Sequence, residues 1–255
     1  MKNFSFNGIT KDYLIVLEGS NRPAWAPIER VYQTIPNRPG AYLKGLRKTN
    51  PRPLPIPAAI KGINLTDLQK VKEDFASWLI HDDEKPLIFD DEPNRTYYAV
   101  VDGNFDIDEF IYYGRGSIPF ICPDPYKYGP EEEYTLETVP EATIVTLFAA
   151  QNPGFNPAPV DAIPIFTADF NSEASEFKIT HQESGKYVRT IYNFVPGDKL
   201  EIDLTKRKVL INNIVNMPAY DWRSQPFKLY PGENHFVIEP NEAAAIKIKY
   251  RPRWL

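Results

Sequence analysis

Apolar and polar positions along this chain trade places with a period of two far more often than with a helical period. Lys2 to Gly8 sets Phe4 and Phe6 against polar neighbours, which predicts a half-buried strand. Tyr13 to Glu18 predicts a second, with Asn7-Gly8 in the turn region between them. Leu54 to Asn64 reads as a strand leading into the one clear helix. There Thr66 offers a capping hydroxyl, with Gln69 three residues on as a capping box. Leu65, Leu68, Lys72, Phe75 and Leu79 then share a face that predicts core packing, and His81-Asp82-Asp83 ends the helix. Strands resume at Pro86 to Phe89 and Arg95 to Asp102. A hairpin follows, Ile107 to Tyr113 and Ser117 to Cys122, with Gly114-Arg115-Gly116 as its turn.

Pro123 to Pro130 is dense in turn residues and is followed by Glu131-Glu132-Glu133, which marks a domain boundary with few crossing contacts. The reading is therefore two domains, 1–130 and 131–255. The second is strand throughout: Thr143 to Ala149, Ile163 to Phe170, Phe177 to Thr180, Tyr187 to Asn193, Leu200 to Leu204, Val209 to Asn212, Phe227 to Tyr230, His235 to Glu239 and Ala244 to Tyr250. Thr205-Lys206-Arg207-Lys208 links two of these as a hairpin. Recurrence at roughly 8–12 residues predicts a sandwich or jelly roll.

Composition sharpens this picture. The 255 residues include 25 prolines, about twice the usual share, and 13% aromatics, which fits short strands and shaped loops rather than a helical bundle. Residues 19 to 55 hold much of that proline, so they predict loop, edge strand or an outward-reaching arm. One cysteine, Cys122, excludes an intrachain disulfide and reads as a buried thiol. The opening MKNFSFNGIT has no apolar core of a secretory signal, and no apolar run is long enough to span a membrane as a helix.

Catalytic and metal signatures do not emerge. His81, His181 and His235 have no metal-ligand spacing, and there is no phosphate-binding glycine loop or nucleophile elbow. Carboxylates cluster at Asp82, Asp83, Glu84, then Asp90, Asp91, Glu92, then Asp102, Asp106, Asp108, Glu109, which reads as solvated charge or an interface patch. The sign of charge is segregated. Residues 22–61 carry eight Lys and Arg against Glu29, a balance of +7, while residues 62–110 carry thirteen acids against four bases, a balance of −9. Two complementary patches suit a head-to-tail contact between copies, unless they pair within one subunit. The candidate contacts are Arg38, Tyr42, Leu43, Leu46, Arg47, Lys48 and Arg52 on the basic side. On the acidic side they are Asp90, Asp91, Glu92, Asp106 and Asp108.

Several stretches resemble the distal tail (Dit) family of long-tailed phages that infect Gram-positive bacteria. They are Phe4-Ser5-Phe6-Asn7-Gly8 with Asp12-Tyr13-Leu14, the helix Leu68 to Leu79, and Pro86 to Pro93 with Tyr97 to Gly103. Phe120-Ile121-Cys122-Pro123-Asp124-Pro125-Tyr126-Lys127-Tyr128, Pro231-Gly232-Glu233-Asn234 and the ending Tyr250 to Leu255 complete the set. The resemblance implies a mainly β protein: an N-terminal tail-tube-like β-sandwich or barrel with one α-helix, and a C-terminal galectin-like β-sandwich (jelly roll). It implies a structural virion protein of the tail tip, made in the host cytoplasm, with no enzyme activity and no cofactor. It further implies a homohexameric ring joining the tail tube protein to the tail-associated lysin or tail-tip fibre protein, in some phages with a receptor-binding protein. DNA passes through such a ring without specific binding. The competing reading is a carbohydrate-binding module for host adsorption. Against it, Trp222-Arg223 lacks the His-x-Asn-Pro-Arg and Trp-x-x-Glu-x-Arg patterns of a true galectin, so Trp222 reads as a packed or interface residue.

Overall fold

A computed structural model describes residues 3–17, 22–110, 113–136, 144–148, 160–240 and 243–255. The chain is mainly β with one α-helix, and it divides into two compact units, the first ending at Tyr128 and the second running Gly129–Trp254. Lys2, Glu18, Thr143 and Ala149, which bound sequence-predicted strands, lie outside the described residues.

The first unit contains β1 (Phe4–Phe6), β2 (Leu14–Val16), β3 (Ile28–Thr34), β4 (Ala41–Thr49), β5 (Arg52–Lys61), α1 (Leu65–Leu79), β6 (Lys85–Phe89), β7 (Thr96–Val101), β8 (Asp108–Phe110), β9 (Tyr113–Cys122) and β10 (Lys127–Tyr128). Its main sheet runs β1-β6-β7-β9-β5-β2, with β8 on β9 and β10 on β7. Strand β5 keeps three prolines in a long ladder with β9 because Pro53, Pro55 and Pro57 share one parity. Their missing donors then fall on one edge, and β2 pairs only with Ala58–Ile60 beyond them.

Aromatic side chains fill this unit's core. Phe4 stacks on Trp78 at 5.9 Å and Phe6 meets Phe120 at 5.1 Å, while the Trp78 indole donates to the Phe6 carbonyl at 3.1 Å. That bond ties α1 to the first strand and satisfies the one polar atom Trp78 buries. The helix is capped two residues earlier than its sequence signal. Asn64, not Thr66, is the cap: its Oδ1 accepts from Asp67 N at 2.8 Å, and Asp67 Oδ2 accepts from Ile63 N at 2.8 Å. The buried face is Leu68, Phe75, Trp78 and Leu79, whereas Leu65 is exposed because it stands in the first turn, before the helix reaches the sheet.

Two glycines expected in a turn lie inside β9 instead. A Cβ at Gly114 would sit 2.6 Å from Ile107 Cγ2, and one at Gly116 would sit 2.4 Å from the Asp106 carbonyl oxygen. They permit close approach of the 105–107 segment, and the connection between β8 and β9 falls at residues 111–112, outside the described residues. The Pro-rich segment before the expected boundary is paired at its end. Lys127 and Tyr128 pair with Tyr97 and Thr96, so the Pro-rich segment is held to the first unit's sheet by backbone bonds.

The second unit contains β11 (Glu132–Leu136), β12 (Ile144–Phe148), β13 (Ile165–Phe170), β14 (Ala174–His181), β15 (Lys186–Phe194), β16 (Lys199–Asp203), β17 (Lys208–Ile211), β18 (Ile214–Val215), β19 (Glu233–Glu239), β20 (Ala244–Tyr250) and β21 (Arg253–Trp254). Two antiparallel sheets, β11-β20-β13-β16-β17-β18 and β12-β19-β14-β15, bury their inner faces in one core, which makes a β-sandwich. Phe170 stacks on Phe194 at 4.0 Å, and Phe166 meets Phe236 at 5.7 Å. Asp203 Oδ1 accepts from Thr205 N and Lys206 N at 2.8 and 2.9 Å, which closes the expected β16–β17 hairpin. The acidic run that reads as a boundary opens β11, where Glu133 and Glu131 meet Lys247 and Lys249 at 3.4 and 3.1 Å. Phe227 to Tyr230 is not a strand; Leu229 makes a single bridge to Ala162.

The Pro231-Gly232-Glu233-Asn234 stretch has a local purpose. Asn234 is buried, donates to the carbonyls of Tyr230 and Gly232 at 2.9 and 3.1 Å, and accepts from Tyr230 N at 2.8 Å. Its Oδ1 also meets the buried His181 Nε2 at 3.0 Å, so that nitrogen carries the proton. His181 Nδ1 meets Ser184 Oγ at 2.8 Å, and its ring stacks on Phe227 at 5.1 Å. This is a satisfied core histidine that pins two loops.

Candidate assembly interface

Strands β3 and β4 pair only with each other. Every residue of β3 and all but Thr49 of β4 is exposed. Asn50 N donates to the Pro27 carbonyl at 2.9 Å and closes the base of this arm. Near the base the register shifts after Glu29, and Gly45 takes φ 76, a left-handed value that suits glycine at a bulge. Apolar side chains stand on both faces: Tyr32 opposite Leu43 on one, Val31 and Tyr42 on the other. Leu46 is 96% exposed. A two-stranded ribbon with no core of its own is marginal in water, so the arm's geometry calls for a surface to lie against.

Six of the seven basic-side candidates are on this arm: Arg38, Tyr42, Leu43, Leu46, Arg47 and Lys48. Arg38 lies over the Tyr42 ring at 4.7 Å, and Lys48 reaches Glu29 at 3.9 Å. Arg52 is a correction. Its side chain is 1% exposed and its guanidinium lies 5.7 Å from the Tyr97 ring, inside the sheet, because β5 turns even-numbered side chains inward. It cannot touch a neighbouring subunit from there. Cys122, on β9 opposite Arg52, is buried as expected, and burial pushes its thiol up to about 12.

The acidic candidates separate into two groups. Asp90 Oδ2 accepts from Asn3 N at 3.0 Å. Asp91 pairs with Arg22, and Glu92 holds Lys127 at 2.5 Å and the Tyr97 hydroxyl at 2.9 Å. Arg22 belongs to the basic segment, so part of the charge segregation is resolved within one chain. These groups line a polar cavity of about 450 Å³ with Pro23 and Ala24. Asp106 and Asp108 are exposed and make no ion pair among the described residues.

Beside that second group lies a feature with no sequence signal. A groove of about 470 Å³ opens between α1 and the segment after β7, walled by Phe75, Leu79, Ile80, Val101, Phe105 and Ile107. Ile80 is 69% exposed at its mouth. On the far side of α1, Lys11 and Tyr13 hold Asp74 at 2.7 and 2.5 Å, and those two bonds keep its carboxyl below the usual range. Among the described residues no group of three or more His, Cys, Asp or Glu side chains could hold a metal, and no helix is long and apolar enough to cross a membrane.

Residues 10–122 match the phage tail protein RIFT-related domain, and residues 158–254 match the C-terminal domain of the siphovirus-type tail component. The distal tail protein of Bacillus phage SPP1 is 29% identical over 231 residues, 89% of this chain and 86% of that one. The chain belongs to the siphophage distal tail protein family. It is a structural component of the phage tail and of the virion. The fold agrees with that of two solved phage structures. The crystal structure of SPP1 Dit, described as a paradigm of the hub adsorption apparatus in phages of Gram-positive bacteria, superimposes with a TM-score of 0.84 over 100% of both chains at 21% identity. The phage p2 baseplate in its activated, strontium-bound conformation contains a chain that matches with a TM-score of 0.51 over 98% of each chain, at 9% identity.

Of the three readings of residues 19 to 55, loop, edge strand or outward-reaching arm, the structure gives the arm for Ile28–Thr49, and Ile28, Val31 and Tyr32 are its β-forming signal. Of the two readings of Trp222, packed or interface, packing is removed: the side chain is 82% exposed, with the Arg223 guanidinium 5.2 Å from its ring.

Proposed function

We propose that this distal tail family member forms a homohexameric ring at the tail tip. The ring would join the tail tube protein to the tail-associated lysin or tail-tip fibre protein, accept a receptor-binding protein in some assemblies, and let DNA pass during ejection. In this reading residues 1–130 build the ring and residues 131–255 form its periphery. Arg38, Tyr42, Leu43, Leu46, Arg47, Lys48, Asp106 and Asp108 are contacts between copies. The observation that supports the reading is the solvent-exposed arm, a ribbon carrying apolar side chains on both faces in a member of a tail-assembly family. Burying such side chains against another subunit is worth about 1.5–3 kcal/mol each at most, so a few of them can drive assembly while charges choose the partner. Six chains of 29.3 kDa would give a particle of about 176 kDa. Light scattering on the purified chain over a concentration series measures this directly. A mass of one chain at high micromolar concentration removes self-assembly from the reading.

The open Trp222 favours a second reading, glycan binding by the second unit, because an exposed indole is the platform sugars stack on. Calorimetry of the full chain with galactosides tests it. Binding at millimolar concentration or tighter that disappears in Trp222→Ala would establish that reading.

A further inference from the structure

We propose that the edge of the second unit around Trp222 binds an anionic glycan, a sugar bearing a sulfate, carboxylate or phosphate group. The proposal rests on the glycan reading of Trp222 above and adds the charge of the ligand. Trp222 stands in solvent, yet the chain fixes it there. The residue before it, Asp221, is 7% exposed. Asp221 Oδ1 accepts from Arg223 N at 3.0 Å and the Asp221 carbonyl accepts from Ser224 N at 2.9 Å, which closes a tight turn with Trp222 at its tip. Asp221 N donates to the Arg189 carbonyl at 2.9 Å, and the Asp221 carboxylate lies 3.6 Å from the Arg189 guanidinium. Ser224 Oγ accepts from Arg189 N at 2.9 Å, and Gln225 N donates to the Tyr187 carbonyl at 2.8 Å. An indole left in water forgoes the gain of burial, and here a buried carboxylate and a run of backbone bonds hold it out. A platform ordered in advance lowers the cost of ordering whatever stacks on it.

The surroundings of Trp222 are cationic. The Arg223 guanidinium covers one face of the indole at 5.2 Å and leaves the other open. Burial raises the Tyr220 pKa, against the Ser224 hydroxyl and the charge of Arg207, so Arg207 stands on the same edge. Tyr220 bridges to Thr190 on β15, and the short 3-10 helix Met217–Ala219 before it packs on both β17 and β15. From Thr205 to Tyr230 the chain carries Lys206, Arg207, Lys208, Arg223 and Lys228 against Asp221 alone. None of those five cations makes an ion pair among the described residues. The acids nearby are already held. Asp221 and Glu176 share Arg189, and Asp203, registered opposite Lys208, accepts from the N–H groups of Thr205 and Lys206. Glu201 is half-buried on β16, opposite Leu210. An aromatic face gives a sugar ring its apolar contact, and cations beside it hold an acidic substituent that a neutral galactoside lacks. An acidic protein would answer the cations too, but an open indole at the tip of a turn is a flat platform, unlike the closed, desolvated pocket in which a protein hot spot sits.

The test is calorimetry of the full chain with carrageenan oligosaccharides (sulfate), polygalacturonate (carboxylate) and phosphorylated dextran, against neutral agarose oligosaccharides and plain dextran. Polyglutamate serves as a charged polymer without sugar. The expected result is that at least one anionic glycan binds about tenfold or more tighter than the neutral ones. That binding should weaken about tenfold in Trp222→Ala, weaken in Arg223→Gln, survive in Trp222→Tyr, which keeps an aromatic face, and fall with added salt. Melting curves of the three variants report folding. Neutral glycans that bind through Trp222 as tightly as the charged ones overturn the charge selection and leave the glycan reading standing. Absence of binding to every glycan overturns both. Anionic binding that is unchanged in folded Trp222→Ala is attraction to a charged surface and overturns the site. Polyglutamate bound as tightly as the glycans also overturns it and assigns the edge to an acidic protein.

Discussion

The arm and the β14–β15 hairpin are built from strands of similar length, seven and nine residues against eight and nine. In β14–β15 the alternation is kept from Glu176 to His181 and from Tyr187 to Thr190 opposite, and is lost only past the register shift, where Ile191 to Asn193 are all exposed. Phe177, Ile179 and His181 point into the sandwich, while Glu176, Lys178 and Thr180 point outward, and Phe177 and Ile179 sit opposite Thr190 and Val188 on the same inner face. In the arm, Val31 faces Lys44 and Gln33 faces Tyr42 on one face, which so mixes apolar with polar and charged side chains, while Tyr32 faces Leu43 on the other. One hairpin is held by what its inner face buries. The other has no inner face, and its apolar side chains are available to something outside the subunit. A hairpin's backbone pairing is therefore the same in both cases, and its energetics are set by where the side chains go.

The sharpest way to break this comparison is to truncate one large side chain in each hairpin. Phe177→Ala should lower the unfolding free energy by about 3–5 kcal/mol, because it opens a cavity in a closed core. Leu46→Ala should change it by no more than about 0.5 kcal/mol. Urea titration of both variants decides, and a large loss at Leu46 in dilute, unassembled protein would mean the arm is part of its own subunit's core. Replacing residues 28–49 with a short Gly-Ser connection goes further. Because Pro27 and Asn50 already meet at 2.9 Å, the unfolding transition should persist while the assembled mass is lost.

Smaller effects sharpen the picture around the groove. Gly116→Ala places a methyl 2.4 Å from the backbone oxygen of Asp106, so that segment must shift, at about 1–3 kcal/mol of stability. A melt indistinguishable from the parent would show that the 105–107 segment is free to move. Asn64→Ala removes the cap of α1 and should cost about 1 kcal/mol, with Asn64→Asp retaining most of it. Denaturant midpoints of the three proteins give the ranking.

The smallest effect concerns acid. Hydrogen bonds from Lys11 and Tyr13 lower the Asp74 pKa in the folded chain, so its contribution to stability is present above the ordinary carboxyl value of 3.8. It fades as pH falls through the lower, folded value. The carboxyl is half exposed, so the contribution is small. Asp74→Asn should be slightly less stable than the parent at about pH 6 and level with it at about pH 2. A gap that widens on acidification would contradict the assignment.

Much of the fold was legible in the sequence. Period-two alternation located most of the second unit's strands, since each side chain there answers only to a core on one side. Turn chemistry at Asp203 to Arg207 and the helical period from Leu68 to Leu79 were equally local. Where the chain meets distant chain, local rules failed. Gly114 and Gly116 look like a turn, and only the approach of Ile107 and Asp106 makes them strand. Thr66 has the residue type of a cap, but the first helical turn starts at Leu65, so Asn64 fills that place.

The candidate interface was half legible. Sign and composition marked the basic arm and the acids opposite it without saying which charges were already taken. Arg52 counts as one more cation in the sequence; alternation along β5 buries it. Asp91 and Glu92 are indistinguishable in composition from Asp106 and Asp108, yet the first pair is held by Arg22 and Lys127 while the second stays open. By itself the sequence determined most of the second unit's strands, where charge is segregated and the family to which the chain belongs, because those follow from neighbours in the chain. Tertiary structure alone decided between loop, edge strand and free arm for residues 28–49, and opened a groove beside α1. Both depend on which apolar surfaces find partners across long sequence separations, and pairwise burial of that kind leaves no local trace.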